Sequence, residues 1–194
     1  MRIRVDMVSA SKISLVRAAQ ESRVMESVCI LGPGQTDNLA LLLPREFLQP
    51  FNLAEFIGRR WGVAEPEETL DLAKLDFSWV RFETCLKHDE ELIEGEEKLM
   101  RLRGMRDMGV VCLNSDAFHA LWLDYQTRGE NSILEWLRKN ERVTYLDFFG
   151  LILKNPSGAR FVLYFYWSGG RWGWRYRWLG HRWDLSHRSA VLGP

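Results

Sequence analysis

Residues 171–179 read Arg171-Trp172-Gly173-Trp174-Arg175-Tyr176-Arg177-Trp178-Leu179. Side chains alternate between the two faces of a β-strand. Trp172, Trp174, Tyr176 and Trp178 therefore fall on one face, and Arg171, Gly173, Arg175, Arg177 and Leu179 on the other. Covering one aromatic side chain removes roughly 150–250 Å² from water, so the aromatic face is expected to be buried and the arginine face open. Turn signals flank the strand: Ser168-Gly169-Gly170 before it and Gly180-His181-Arg182 after it.

Working outward, residues 161–167 and the runs 144–149 and 151–153 around Gly150 are strand-like, and Asn155-Pro156-Ser157-Gly158 between them is a β-turn. Ser189-Ala190-Val191-Leu192 reads as a final strand of an aromatic antiparallel sheet.

Upstream the grammar is helical. Ser132 and Glu135 form a capping box ahead of Ile133, Trp136 and Leu137, with Arg138 and Lys139 in the last turn. Asn114 and Ser115 precede Phe118, Leu121, Trp122 and Tyr125 at helical spacing, a stripe that should be buried, with His119 at its border. The seven carboxylates of residues 83–97 do not converge on one face as metal ligands would. They read as an acidic turn entering a helix whose Leu99 and Leu102 point inward. Asn52 and Glu55 open a short helix with Leu53, Phe56, Ile57 and Trp61 on one side and Gly62 as its expected end. Residues 1–50 carry only a weak helical spacing at 9–28, a turn at Gly32-Pro33-Gly34 and a short apolar run at 39–43. Residues 65–68 are a polar break. The fold class expected is α+β, helices followed by a C-terminal antiparallel aromatic-rich sheet. Residues 1–90 form an N-terminal region of no assigned role, and 91–194 the ligand-binding domain.

Composition narrows the function classes. The 194 residues carry 26 basic and 26 acidic side chains, so bulk charge favours neither nucleic acid nor membrane. No stretch is long and apolar enough to span a membrane and no secretory leader is evident, which makes a cytoplasmic protein the expectation. Cys29, Cys85 and Cys112 are odd in number and far apart, and read as buried free thiols. Among the four histidines no local catalytic or metal-binding motif appears. A binder without cofactor or metal is expected, and not an enzyme.

Charge is segregated along the chain. Residues 160–194 hold six arginines and one acid, a surplus of +5, leaving −5 for residues 1–159. Arginine and aromatic side chains carry binding hot spots. The candidate ligand-binding residues are Gly173, Arg175 and Arg177 on the strand, with His181, Arg182, Asp184, Leu185, Ser186, His187 and Arg188 in an exposed segment after it. A nucleic-acid-binding module is the alternative. Opposite placement of aromatics and cations along one strand argues against it, because a single-strand groove needs both on the same side. A third reading pairs the acidic 83–97 stretch with the basic tail, within one chain or between chains.

The stretches Gly95-Glu96-Glu97-Lys98-Leu99, Ala120-Leu121-Trp122, Phe148-Phe149-Gly150, Asn155-Pro156-Ser157-Gly158 and Ser189-Ala190-Val191-Leu192 resemble a group of proteins predicted in candidate-phylum bacteria, over about residues 95–192. The C-terminal segment of that group, with fixed tryptophans between variable positions, looks like the variable region of diversity-generating retroelement target proteins. The resemblance implies a C-type-lectin-like fold and a diversified surface for a macromolecular ligand, protein foremost. Such systems vary adenines in AAC codons, and every candidate binding residue here is reachable from AAC that way. Residues 161–194 contain no Lys, Glu, Gln or Met, which that route does not supply.

Overall fold

The 171–179 stretch forms an edge strand of the main sheet. The computed structural model of the chain describes residues 41–65 and 69–193, which belong to a unit running Leu39–Pro194. The readings at 9–28, Gly32-Pro33-Gly34, 39–40, Cys29 and 66–68 lie outside the described residues. The fold is α+β. Its strands are β1 (Gly62–Val63), β2 (Arg81–Glu83), β3 (Ile93–Glu94), β4 (Val111–Cys112), β5 (Tyr145–Lys154), β6 (Arg160–Ser168), β7 (Arg171–Trp178), β8 (Arg182–Trp183) and β9 (His187–Leu192). The four α-helices among the described residues are α1 (Leu53–Phe56), α2 (Gly95–Gly104), α3 (Ser115–Arg128) and α4 (Ile133–Glu141).

The main sheet runs β2-β9-β5-β6-β7, with β1 and β4 added at the ends of β5 and β9; only the β5–β9 pair is parallel. Two hairpins generate its centre. Asn155 to Gly158 turns β5 into β6, and Gly169 and Gly170, at φ 59° and 79°, supply the left-handed pair that joins β6 to β7. A two-residue turn of this kind fixes the register, here Ser168 opposite Arg171 and Tyr164 opposite Arg175.

The expected caps form. Asn114 accepts from the Ala117 N–H, Ser132 from the Glu135 N–H, and Asn52 from Ala54 and Glu55, each satisfying a helix N–H that lacks a backbone partner. Buried Asp124 joins α3 to α4, pairing with Arg128 and accepting from the Ile133 N–H at 2.7 Å. The first helix is shorter than expected: α1 ends at Phe56 because Gly58 turns the chain at φ 126°, and Gly62 starts β1 opposite Lys154 instead of capping a helix.

One face of the sheet is covered by α3 and α4. Phe118 stacks on Phe165 at 4.4 Å, and Phe148, Leu163 and Trp172 complete this core. Leu43, Phe47, Leu72, Leu75, Phe77 and Val80 lie in the same core, so residues on both sides of position 90 share it. A smaller core on the opposite face gathers Leu99 and Leu102 of α2, Val162, Leu179 and Trp183. There β3 pairs with β8, which brings the acidic stretch against the tail within one chain: Ile93 lies opposite Trp183, and Glu96 pairs with Arg160 at 3.3 Å. Cys85 is buried and Cys112 half-buried, both as thiols. No helix among the described residues is long and apolar enough to cross a membrane.

Candidate binding face

The aromatic face of β7 is covered at one end and open at the other. Trp172 is buried and Trp174 half-buried, but Tyr176 and Trp178 remain 44% and 46% exposed, against the expectation of a fully buried row. The reason is position. Because β7 is an edge strand, the α3–α4 layer reaches only as far as Trp174, which Phe118 meets edge-on at 6.2 Å and Phe56 covers at 4.5 Å, and beyond it the cover is Trp61 on Tyr176 at 4.7 Å. Leu179 departs from the arginine side's expected exposure and is buried in the smaller core.

The other face carries more than arginines. Residues opposite each other in an antiparallel pair share a face, so Tyr164 stands beside Arg175, and Tyr166 beside Gly173 and Tyr145. Their rings form a continuous row: Tyr145 lies 6.4 Å from Tyr164, Tyr164 lies 6.0 Å from Tyr166, and the Arg175 guanidinium is 5.4 Å from the Tyr166 ring centre. Gly173 makes this possible, since a Cβ there would meet the Tyr166 ring at 2.8 Å. Burial pushes the Tyr164 phenol above its ordinary pKa although Arg175 and Arg177 pull it down. Aromatics and cations part company along β7 alone; β5 and β6 return aromatics to the arginine side.

One end of this face rests on a buried polar chain. Lys98 and Asp147 are both fully buried, with Lys98 Nζ 3.3 Å from Asp147 Oδ2 and donating to the His187 carbonyl at 2.9 Å. His187 is itself buried, its Nδ1 3.4 Å from Asp147 Oδ1 and its Nε2 2.9 Å from an Arg177 Nη1. Arginine can only donate, so Nε2 is the acceptor and the imidazole carries its proton on Nδ1, toward Asp147. Arg177 also donates to the Arg182 carbonyl at 2.6 Å and lies over the Trp183 ring at 4.9 Å.

The ten expected contact residues are thus divided. Gly173 and Arg175 lie in the open row. Arg177 and His187 lie at its margin but are tied into the buried chain, so neither is the freely exposed contact expected. Arg182 in β8 and the following Asp184, Leu185 and Ser186 are exposed at the end of the face. Ser186 donates to Asp184 through both its N–H and its hydroxyl, which holds that carboxyl below its ordinary pKa. His181 packs its ring edge-on to Trp178 at 5.5 Å, away from the row. Arg188 alternates to the opposite face and donates to the Glu141 carbonyl at 3.0 Å.

Reading one strand at a time missed Tyr145, Tyr164, Tyr166 and the exposed Arg171. The two-glycine turn carried the signal for Tyr164 and Tyr166, because counting back from Gly169 and Gly170 sets them beside Arg175 and Gly173. No local signal marked Lys98 or Asp147. Comparison with protein-family models, with curated proteins and with solved structures found no match.

Proposed function

We propose that the chain is a binding protein that holds a macromolecular ligand, protein foremost, against the Tyr145–Tyr164–Tyr166 row and its flanking Arg171 and Arg175. The single observation that carries this reading is the placement of three half-buried tyrosines and two exposed arginines on one rigid sheet face. Tyrosine gives large contact area at low ordering cost, and arginine is enriched beside it at binding hot spots. The buried Asp147–His187 pair is read as structural and not as a catalytic dyad, because its remaining imidazole nitrogen is occupied by Arg177.

On this reading the diversifying positions are 173, 175, 182 and 184–186, and Arg177 and His187 stay constant to keep the buried chain satisfied. The order of helices before a sheet that presents its binding residues near the C-terminus is what a C-type-lectin-like target protein requires. Sequencing the DNA for residues 160–194 across the source population tests this: variation confined to those positions beside a template copy supports diversification, and an invariant segment removes it.

Single-stranded nucleic acid is the second reading, favoured by the same-face tyrosines and arginines, on which bases stack and phosphates pair. A salt series discriminates, since phosphate-driven affinity falls linearly in log–log form.

A further inference from the structure

The free edge of β7 borders the tyrosine–arginine face and shares Arg171 and Arg175 with it. In an antiparallel ladder, alternate residues turn their N–H and C=O toward the partner strand and the others turn them away. The Leu179 N–H donates to the Arg160 carbonyl at 2.9 Å, so the odd-numbered residues of β7 bond β6. The even-numbered residues point outward. At one end the Trp172 N–H is taken by the Tyr125 hydroxyl at 3.1 Å, and at the other the Trp178 carbonyl is taken by the His181 N–H at 3.0 Å. Between them, the N–H and C=O groups of Trp174 and Tyr176 have no partner among the described residues. Exposed strand edges are normally blunted; this one is capped at both ends and left open for two residues.

We propose that this window takes an extended acidic peptide segment as an added strand. The partner's amide and carbonyl groups would bond Trp174 and Tyr176, the pairing mode of strand addition. Arg171 and Arg175, both exposed, lie four residues apart on one side of the edge. They call for two acidic side chains at the same spacing, and the position between them faces Gly173. On the other side Tyr176 and Trp178, each nearly half-exposed, call for apolar side chains alternating with the acids. Charge argues against a second copy: the antiparallel self-pairings centred on 174, 175 or 176 set Arg171 opposite Arg177, Arg175 opposite itself, or Arg175 opposite Arg177, and like charges directly opposite are destabilising.

The test uses the full chain and a labelled ten-residue peptide of alternating valine and threonine, with glutamate replacing threonine at two positions four apart. Anisotropy reads binding, and hydrogen exchange reads the Trp174 and Tyr176 amides. The expected result is binding with selective protection of those two amides, at least roughly tenfold weaker for the peptide N-methylated on its bonding amides, and lost when lysine replaces glutamate. Tyr176→Pro removes one outward N–H at a place where an edge tolerates proline. Against Tyr176→Ala, which loses the same ring packing on Trp61 and Phe161 but keeps the N–H, it should weaken binding a further roughly fivefold, the share of one hydrogen bond. Four results would overturn the proposal: no binding; binding indifferent to N-methylation and no weaker for Tyr176→Pro than for Tyr176→Ala, which would place the peptide on the face; concentration-dependent protection without peptide, which would assign a second copy; and concentration-independent protection without peptide, which would assign a segment of this chain.

Discussion

Lys98 and Asp147 form a fully buried ion pair with a nitrogen–oxygen distance of 3.3 Å, and removing either partner strands the other. At that distance and an effective dielectric constant of about 20 the attraction is roughly 5 kcal/mol; losing one member of such a pair costs about 3–5 kcal/mol. Lys98→Met leaves the carboxylate with His187 alone, and Asp147→Asn leaves the ammonium with only neutral oxygens. The double variant strands neither charge. Its asparagine oxygen still accepts from His187, so it should cost about 1–2 kcal/mol, the range of a lost neutral hydrogen bond. Urea unfolding followed by tryptophan fluorescence should therefore give a coupling of at least about 3 kcal/mol. Each single variant should lower the melting temperature by roughly 6–20 °C at about 2–4 °C per kcal/mol. Costs that add within about 0.5 kcal/mol, the behaviour of independent sites, would refute the claim that the two charges satisfy each other.

Other outcomes follow from the same geometry. Trp172→Ala should destabilise by about 3–5 kcal/mol and Trp178→Ala by less than about 1 in thermal unfolding, because only the first is buried. Hydrogen bonds from Arg101, with one from the Lys87 N–H, lower the Glu90 carboxyl to about 2. That is below its unfolded value, so the stability it contributes is present above about pH 4.3 and is lost as pH falls toward 2. A carboxyl-carbon NMR titration should show that midpoint near 2 and see it rise in Arg101→Gln. Burial pushes the Cys85 thiol up to about 11, so alkylation of the native chain at pH 8 should leave Cys85 unmodified until denaturant is added.

Much of the architecture was legible because it is written locally. The caps at Asn52, Asn114 and Ser132 and the turn glycines Gly169 and Gly170 each determine a few neighbouring backbone angles, and the structure places them where the sequence does. The binding face was half legible: alternation within one strand set Arg175 opposite the tryptophans, but the tyrosines beside it come from cross-strand register. The burial of His187 was not legible at all. It depends on Lys98, 89 residues away, and Asp147, 40 residues away. Likewise nothing local revealed that β7 lies at an edge, which is what leaves Tyr176 and Trp178 exposed.

The most direct test of the binding face is differential capture from an extract of the source cells, using the native chain and Arg171→Ala/Arg175→Ala, with and without nuclease. These two arginines, unlike Arg177, are exposed and outside the buried chain. The account predicts a bound, nuclease-resistant species that the double variant loses by at least roughly tenfold, with the melting temperatures of the two chains within about 2 °C, as surface changes of under about 0.5 kcal/mol require. A nuclease-sensitive species lost in the same way would transfer the face to nucleic acid. Equal capture by both chains would contradict the assignment of the tyrosine–arginine face as the binding surface.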